Sequence, residues 1–368
     1  MGIASQFGKV PIGVQARIKQ FNENNEIKGI QLKYTGLADD KQDPAVALSE
    51  ARRIVTQDQV FALVGDVSAN NPKEYFAQQH VPYFGAGYDD SYCSHNASKT
   101  VWGFGTGGCA VPSDPAWVPD LGANSYAYVS KKTGKKTPTI ALLSNDTNSG
   151  KTAVKFRSLE FEGAGFKVVG TNNDMPAAAV ADYTPYAQAM LTADGGKAPD
   201  AILCVLVVDC IGTYNLVKAS GYTGSFIHYL YSDLVAKPME GSLSPTGTVP
   251  YNQTTPGMTK LAAALNAQEP GAGDKIDGAM ITGYASTDMF IQALKTVAKK
   301  GKSAITPENV QKAAAVQTWQ LQGVMGPTIY PQSTVGSYKA CGALVQSDGT
   351  SFNQVIPFSC STKRFIVK

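Results

Sequence analysis

Short apolar runs and amphipathic stretches alternate along the 368 residues in the rhythm strand, helix, strand, helix. Residues 30–35 (Ile30-Gln31-Leu32-Lys33-Tyr34-Thr35) alternate apolar and polar and predict a strand. Asp43-Pro44 supplies an N-cap acid and a proline at the first helical position. The helix it starts is expected to reach about Gln57, with Ala45, Leu48, Ala51 and Val55 along one stripe. Residues 61–64 read as a short buried strand, a helix follows from about Pro72, and residues 81–84 are the next strand. The pattern restarts near residue 138. Strands are expected at 139–143, 166–169, 201–207 and 225–229, with helices at 150–163, 182–194 and 211–220 between them. Two long helices, about 257–268 and 277–299, precede a tail of strands whose Asp348-Gly349 pair signals a hairpin.

Repeated strand–helix units with continuously apolar strands imply parallel sheets covered by helices on both faces. Two such blocks in a chain of this length predict an α/β protein of two Rossmann-like lobes. The segment 110–137, rich in Pro, Gly, Ser and Lys, reads as containing a crossing between them. Lobe 1 is expected to combine residues 1–115 with 240–322, and lobe 2 residues 116–239 with 323–368.

Composition narrows the picture. The net charge is +3, and the basic residues cluster only at Lys131, Lys132, Lys135, Lys136 and at Lys295, Lys299, Lys300, Lys302, without interleaved aromatics, which is a pattern of solvated helix ends and argues against a nucleic-acid surface. No apolar run is long enough to span a bilayer, and residues 1–6 lack the charged start and apolar stretch of an export signal. Six cysteines fall into local pairs, and because short loops close most easily the expected disulfides are Cys93 with Cys109, Cys204 with Cys210, and Cys341 with Cys360. Disulfides place a protein in an oxidising compartment. No C-x-x-C spacing favours zinc, and no cofactor or metal is expected.

Ligands of open parallel sheets bind beyond the carboxyl ends of the strands. The loops at those ends here are 65–71, 85–90, 144–149, 208–209 and 230–233, all carrying hydroxyls, amides, acids or aromatic rings and none an Arg or Lys before the next helix. A pocket of acids without cations suits a ligand with an ammonium, amide or hydroxyl group. Two motifs look like other chemistry. Residues 145–152 end like a phosphate-binding loop, but Asn145 stands where the tight turn needs glycine. Residues 103–108 have dinucleotide-fingerprint spacing, but Cys109-Ala110-Val111-Pro112 does not open a helix. Enzyme readings lack residues: only His80, His95 and His228 are present, and no nucleophile–base pattern accompanies them.

Taken in order, Gly2-Ile3-Ala4-Ser5-Gln6-Phe7-Gly8, the helix to Asn24, Asp39-Asp40-Lys41-Gln42-Asp43-Pro44, Val81-Pro82-Tyr83-Phe84, Asp200-Ala201-Ile202-Leu203, Ala219-Ser220-Gly221-Tyr222 and Gly323-Val324-Met325-Gly326-Pro327 resemble type I periplasmic binding proteins of the leucine/isoleucine/valine-binding branch. The resemblance implies two lobes joined by three crossovers that close on a ligand, and an extracytoplasmic receptor, periplasmic or a cell-surface lipoprotein, that is monomeric and serves a membrane ABC permease. It maps ligand contacts onto Ser68, Ala69, Asn70 and Asn71, onto Tyr88 and Asp89, onto Asn148 and Ser149, and onto Asp209, Tyr231 and Asp233. Tyr88 and Tyr231 would be aromatic walls, and Asp89, Asp209 or Asp233 an ammonium partner. Ala69 stands where that branch often has serine and Ser149 where tyrosine is common, departures that count against an amino acid; among ligands an amino acid or amide nevertheless leads and an aromatic carboxylate follows. A ligand sensor without transport and a nucleotide-dependent enzyme are the other readings. The family also begins with an apolar strand ahead of the Gly2–Gly8 loop, so the resemblance implies such a strand, and the export signal with it, upstream of Met1.

Overall fold

The computed structural model describes residues 7–41, 43–68, 70–87, 90–93, 101–108, 117–176, 180–205, 209–330 and 340–367, with only the backbone of Asp90, Asn148 and Ser149. The chain divides into two compact units, one formed by Gln6–Asp114 with Thr254–Tyr338, the other by Pro115–Gln253 with Lys339–Lys368. The first stretch carries α1 (Val10–Glu23), α2 (Pro44–Thr56), β1 (Leu63–Asp66), α3 (Lys73–Gln78), β2 (Tyr83–Gly85) and β3 (Gly103–Gly105). From residue 115 come β4 (Trp117–Pro119), α4 (Ala123–Thr133), β5 (Thr139–Asn145), α5 (Asn148–Ala164) and β6 (Lys167–Met175). They continue as α6 (Thr184–Leu191), β7 (Ala201–Cys204), α7 (Asp209–Ala219), β8 (Ser225–His228), α8 (Asp233–Ala236) and β9 (Leu243–Thr246). The third stretch holds α9 (Pro256–Gln268), α10 (Gly278–Ala298), α11 (Pro307–Ala314), β10 (Thr318–Trp319) and β11 (Thr328–Ile329). The tail adds β12 (Ala340–Ser347), β13 (Phe352–Ser361) and β14 (Arg364–Ile366).

The larger sheet has seven strands in the order β13-β12-β9-β8-β7-β5-β6. Its β9-β8-β7-β5-β6 portion is parallel, and the β12–β13 hairpin adds on antiparallel. Alternation along β5 divides the core: Ala141 and Leu143 pack with Ile202, Val217 and Phe226 on one face, Ile140 and Leu142 with Phe161, Leu203 and Ile227 on the other. With both faces covered, the strand reads as an unbroken apolar run. Gly349 takes φ +87° in the hairpin turn that Asp348-Gly349 predicts.

The other unit has a three-stranded parallel sheet, β1-β2-β3. Asp43 caps α2 as expected, accepting from the N–H groups of Ala45 and Val46. Two expectations change here. The stripe of α2 is rotated: Ala47, Ala51 and Ile54 are buried, and Ala45 is exposed. Residues 30–35 form no strand, because the Asn22 side chain takes both backbone groups of Leu32, donating to its carbonyl at 2.8 Å and accepting from its N–H at 2.9 Å. A side-chain amide replaces a ladder partner there.

The crossings near 253 and 338 differ from the expected 239 and 322. β9 pairs with β8 and β12, which carries residues 240–253 with the seven-stranded sheet, while β11 pairs with β10. The expected bridges Cys204–Cys210 and Cys341–Cys360 are both formed. Cys93 is also disulfide-bonded, and its expected partner Cys109 lies outside the described residues.

Candidate functional site

In the three-stranded unit, the carboxyl end of β1 is organised by Asp66. Its Oδ1 accepts from the Ser68 N–H at 2.9 Å and its Oδ2 from the Tyr92 hydroxyl at 2.6 Å. Ser68 Oγ then donates to Asp40 Oδ2 at 2.5 Å and accepts from the Asn70 N–H at 3.0 Å, while Asn71 Nδ2 reaches the Ser68 carbonyl at 3.3 Å. Ser68, Asn70 and Asn71 thus form one hydrogen-bonded loop. The turn depends on Gly85 in β2, since a Cβ there would fall 2.0 Å from the Asp66 carbonyl oxygen. That carbonyl accepts from the Ala86 N–H at 2.9 Å. Ala69, Tyr88 and Asp89 lie outside the described residues. Asp40, Asp66 and Tyr92 were not singled out from sequence; Asp66 had a signal, an acid at the last position of an apolar strand.

In the seven-stranded unit, the expected residues all follow parallel strands. Asn148 and Ser149 open α5 after β5, Asp209 opens α7 after β7, and Tyr231 and Asp233 follow β8. Nothing is described of the Asn148 and Ser149 side chains. Asp209 Oδ1 accepts from the Tyr183 hydroxyl at 2.9 Å. Burial first, then the Asp209 charge, pushes the Tyr183 phenol up to about 12. Tyr231 is largely buried: its ring stacks on Tyr251 at 3.9 Å between centroids, its edge meets Phe352, and its oxygen accepts from the Tyr251 N–H at 2.8 Å. Burial pushes its phenol up to about 12 as well. Asp233 is exposed.

The two lookalike motifs resolve into scaffold. Lys151, placed like a phosphate-loop lysine, is ion-paired with Asp146. Thr147 caps α5 by accepting from the Gly150 N–H at 2.9 Å, so one of the N–H groups of the helix start is already taken. Gly103 and Gly105 lie within β3 itself. Among the histidines, His228 is fully buried, which depresses its pKa to about 3, and its ring bonds Ser242 Oγ and the Leu230 N–H. His80 pairs with Glu308 at 2.8 Å. His95 lies outside the described residues. Among the described residues no group of three or more His, Cys, Asp or Glu is placed to hold a metal ion, and no helix is long and apolar enough to cross a membrane.

One charged group stands out electrostatically. Glu160 on α5 is fully buried, its Oε2 accepts from Arg157 Nη1, and its Oε1 has no hydrogen-bond partner among the described residues. Burial raises its pKa to about 7 against the pull of Arg157, with Asp120 adding to the rise. The Arg157 guanidinium also lies 5.2 Å from the Tyr229 ring centre.

The described strand ends thus carry polar loops on parallel sheets in both units. The chain belongs to the periplasmic binding protein family, whose pattern matches residues 2–351. No curated protein matches it. Among solved structures it is similar to an ABC transporter substrate-binding protein from Aeropyrum pernix, at 16% identity and a TM-score of 0.77 over 99% of this chain and 94% of that one. A solute-binding protein from R. palustris in complex with benzoate aligns at 12% identity and 0.70, covering 98% and 94%. The substrate-binding protein LivJ from Streptococcus pneumoniae in complex with isoleucine aligns at 16% and 0.70, covering 98% and 97%. The fold is that of type I periplasmic binding proteins, and the family consists of extracytoplasmic substrate-binding proteins, not enzymes.

Proposed function

We propose that this protein is the substrate-binding component of an ABC importer and captures a small polar ligand bearing N–H donors, an amino acid or an amide, by closure of its two units. The supporting observation is the chemistry of the strand ends. They carry Ser68, Asn70 and Asn71 in one unit and Asp209 and Asp233 in the other, while Lys151 is tied to Asp146. Acceptors dominate such a set, so it suits a ligand that donates. LivJ, in complex with isoleucine, shows that the fold accommodates an amino acid in one relative. The receptor role implies a membrane permease as partner.

An aromatic carboxylate is the second reading, favoured by the benzoate complex of the R. palustris relative. Its carboxylate would have to bind backbone N–H groups at helix starts. A thermal-shift screen of amino acids, amides, polyamines, aromatic acids and ATP separates these readings. Ligand present at about 100 times its Kd adds about 2.7 kcal/mol and raises the melting temperature. Stabilisation by an N–H-bearing compound supports the first reading and by benzoates alone the second. Stabilisation by ATP alone would overturn both.

A further inference from the structure

We propose that Tyr183 is a positioning residue of this capture site: it holds the Asp209 carboxylate in one orientation, so that Oδ2 is the fixed acceptor for an N–H group of the ligand. The inference rests on the receptor reading above.

Three features of the first turn of α7 converge on this arrangement. Asp209 is the first residue of the helix, and its Oδ1 is occupied by the Tyr183 hydroxyl at 2.9 Å. Among the described residues its Oδ2 has no hydrogen-bond partner. Cys210, the next residue, is bonded to Cys204, the last residue of β7, so the start of the helix is tied covalently to the strand end. Gly212 makes room for the ring: a Cβ there would lie 2.4 Å from Tyr183 Cε2. Tyr183 is itself held in place. It precedes α6, and the neighbouring Asp182 Oδ1 accepts from the Thr184 N–H at 2.8 Å.

A hydrogen bond to a charged group is roughly twice as strong as a neutral one, enough to select one carboxylate rotamer. The raised phenol pKa keeps Tyr183 a donor throughout the pH range in which binding would be measured. With Oδ1 engaged by a neutral donor, Oδ2 is the acceptor that stays available among the described residues. A ligand N–H gains there, and a carboxylate alone is repelled. Asp209 was expected as a ligand contact from sequence; Tyr183 and Gly212 were not, because Tyr183 lies 26 residues away and no motif links the three.

The test uses four probes, L-isoleucine, benzamide, putrescine and benzoate, titrated calorimetrically and by thermal shift into the wild type, Tyr183→Phe and Gly212→Ala. At least one of the three N–H-bearing probes is expected to bind the wild type. Tyr183→Phe should weaken that probe about tenfold while benzoate binding is not weakened; because the bond is also lost from the ligand-free protein, its melting temperature falls by up to about 4 °C. Gly212→Ala, which displaces the ring, should weaken the same probe. An unchanged Kd in Tyr183→Phe overturns the inference and leaves the receptor reading standing. So does a purely structural outcome, in which benzoate and N–H probes weaken alike. Benzoate as the sole binder overturns the acceptor role of Asp209, again sparing the receptor reading. If none of the four probes binds, the proposed ligand class falls, and the inference with it.

Discussion

Arg17 on α1 donates from Nε to Asp288 Oδ1 on α10 at 2.8 Å, joining two helices 271 residues apart in the chain. The same guanidinium is bidentate to Glu26, at 2.7 and 3.1 Å, and Trp319 Nε1 donates to the other Asp288 oxygen at 2.9 Å. Arg17 is 4% exposed, so its charge is stable only because each partner is present. Residues from both ends of this unit's sequence therefore meet in one buried network.

Removing the guanidinium deprives Glu26 and Asp288 of their shared buried cation. Arg17→Ala is expected to destabilise by about 3–5 kcal/mol, read as a lower urea midpoint. Lys295→Ala, which removes the 37%-exposed outer partner of Glu26, should cost about 1 kcal/mol or less. Equal losses in the two variants would contradict the assignment of Arg17 as the centre of the network.

Glu160 gives the seven-stranded unit a pH dependence of definite sign. Its folded pKa, about 7, lies above the ordinary 4.5, because burial disfavours the ionised form. Below about pH 4.5 the group is protonated in both states and costs nothing. As pH rises from there to about 7, the unfolded chain ionises first and folding weakens, by about 2–3 kcal/mol at the upper end. The urea midpoint should therefore fall between pH 5 and 8. Glu160→Gln should flatten that slope, and a slope unchanged in the variant would assign it to other groups.

Gly85→Ala tests the loop that carries Ser68. A methyl group 2.0 Å from the Asp66 carbonyl must push β1 and β2 apart, costing about 1–3 kcal/mol and disturbing the bonds from Asp66 to Ser68 and Tyr92. Gly247→Ala, where a Cβ meets nothing within 4 Å, is the control and should be near neutral. Circular-dichroism melts and ligand titration of the pair provide the comparison.

The disulfides should survive in the isolated protein as Cys204–Cys210 and Cys341–Cys360, identifiable by peptide mapping without reductant. Loop entropy gives each a contribution of about 2–3 kcal/mol. Cys341 and Cys360 already face each other across the β12–β13 ladder, so their bridge should contribute less than its longer loop suggests. Replacing each pair by serine and comparing melting temperatures measures the difference.

Much of the fold was legible because its signals are local. The Asp43-Pro44 start of α2, the Asp348-Gly349 turn and the apolar runs of β5, β7 and β8 each act within a few residues. The failures were non-local. Residues 30–35 alternate like a strand, but whether an extended segment joins a ladder depends on what lies beside it, and Asn22 lies there. The stripe of α2 was rotated for the same reason: the face that is buried is chosen by the neighbours. At the candidate site the chain order of strand ends pointed to Ser68, Asn70 and Asp209, but the residues that hold them, Asp40, Asp66, Tyr92 and Tyr183, come from other elements.

By itself the sequence determined the order of strands and helices, the parallel-sheet class and the cysteine pairs at 204–210 and 341–360, because periodicity, capping and short-loop closure are properties of neighbouring residues. Tertiary structure decided which polar groups are paired and which remain open. Arg17 is buried among carboxylates, Lys151 is tied to Asp146, Glu160 holds its proton toward neutral pH, and Asp209 has one oxygen occupied by Tyr183. Hydrogen bonding and desolvation act through space over a few ångströms, so their outcome is set only when distant segments meet.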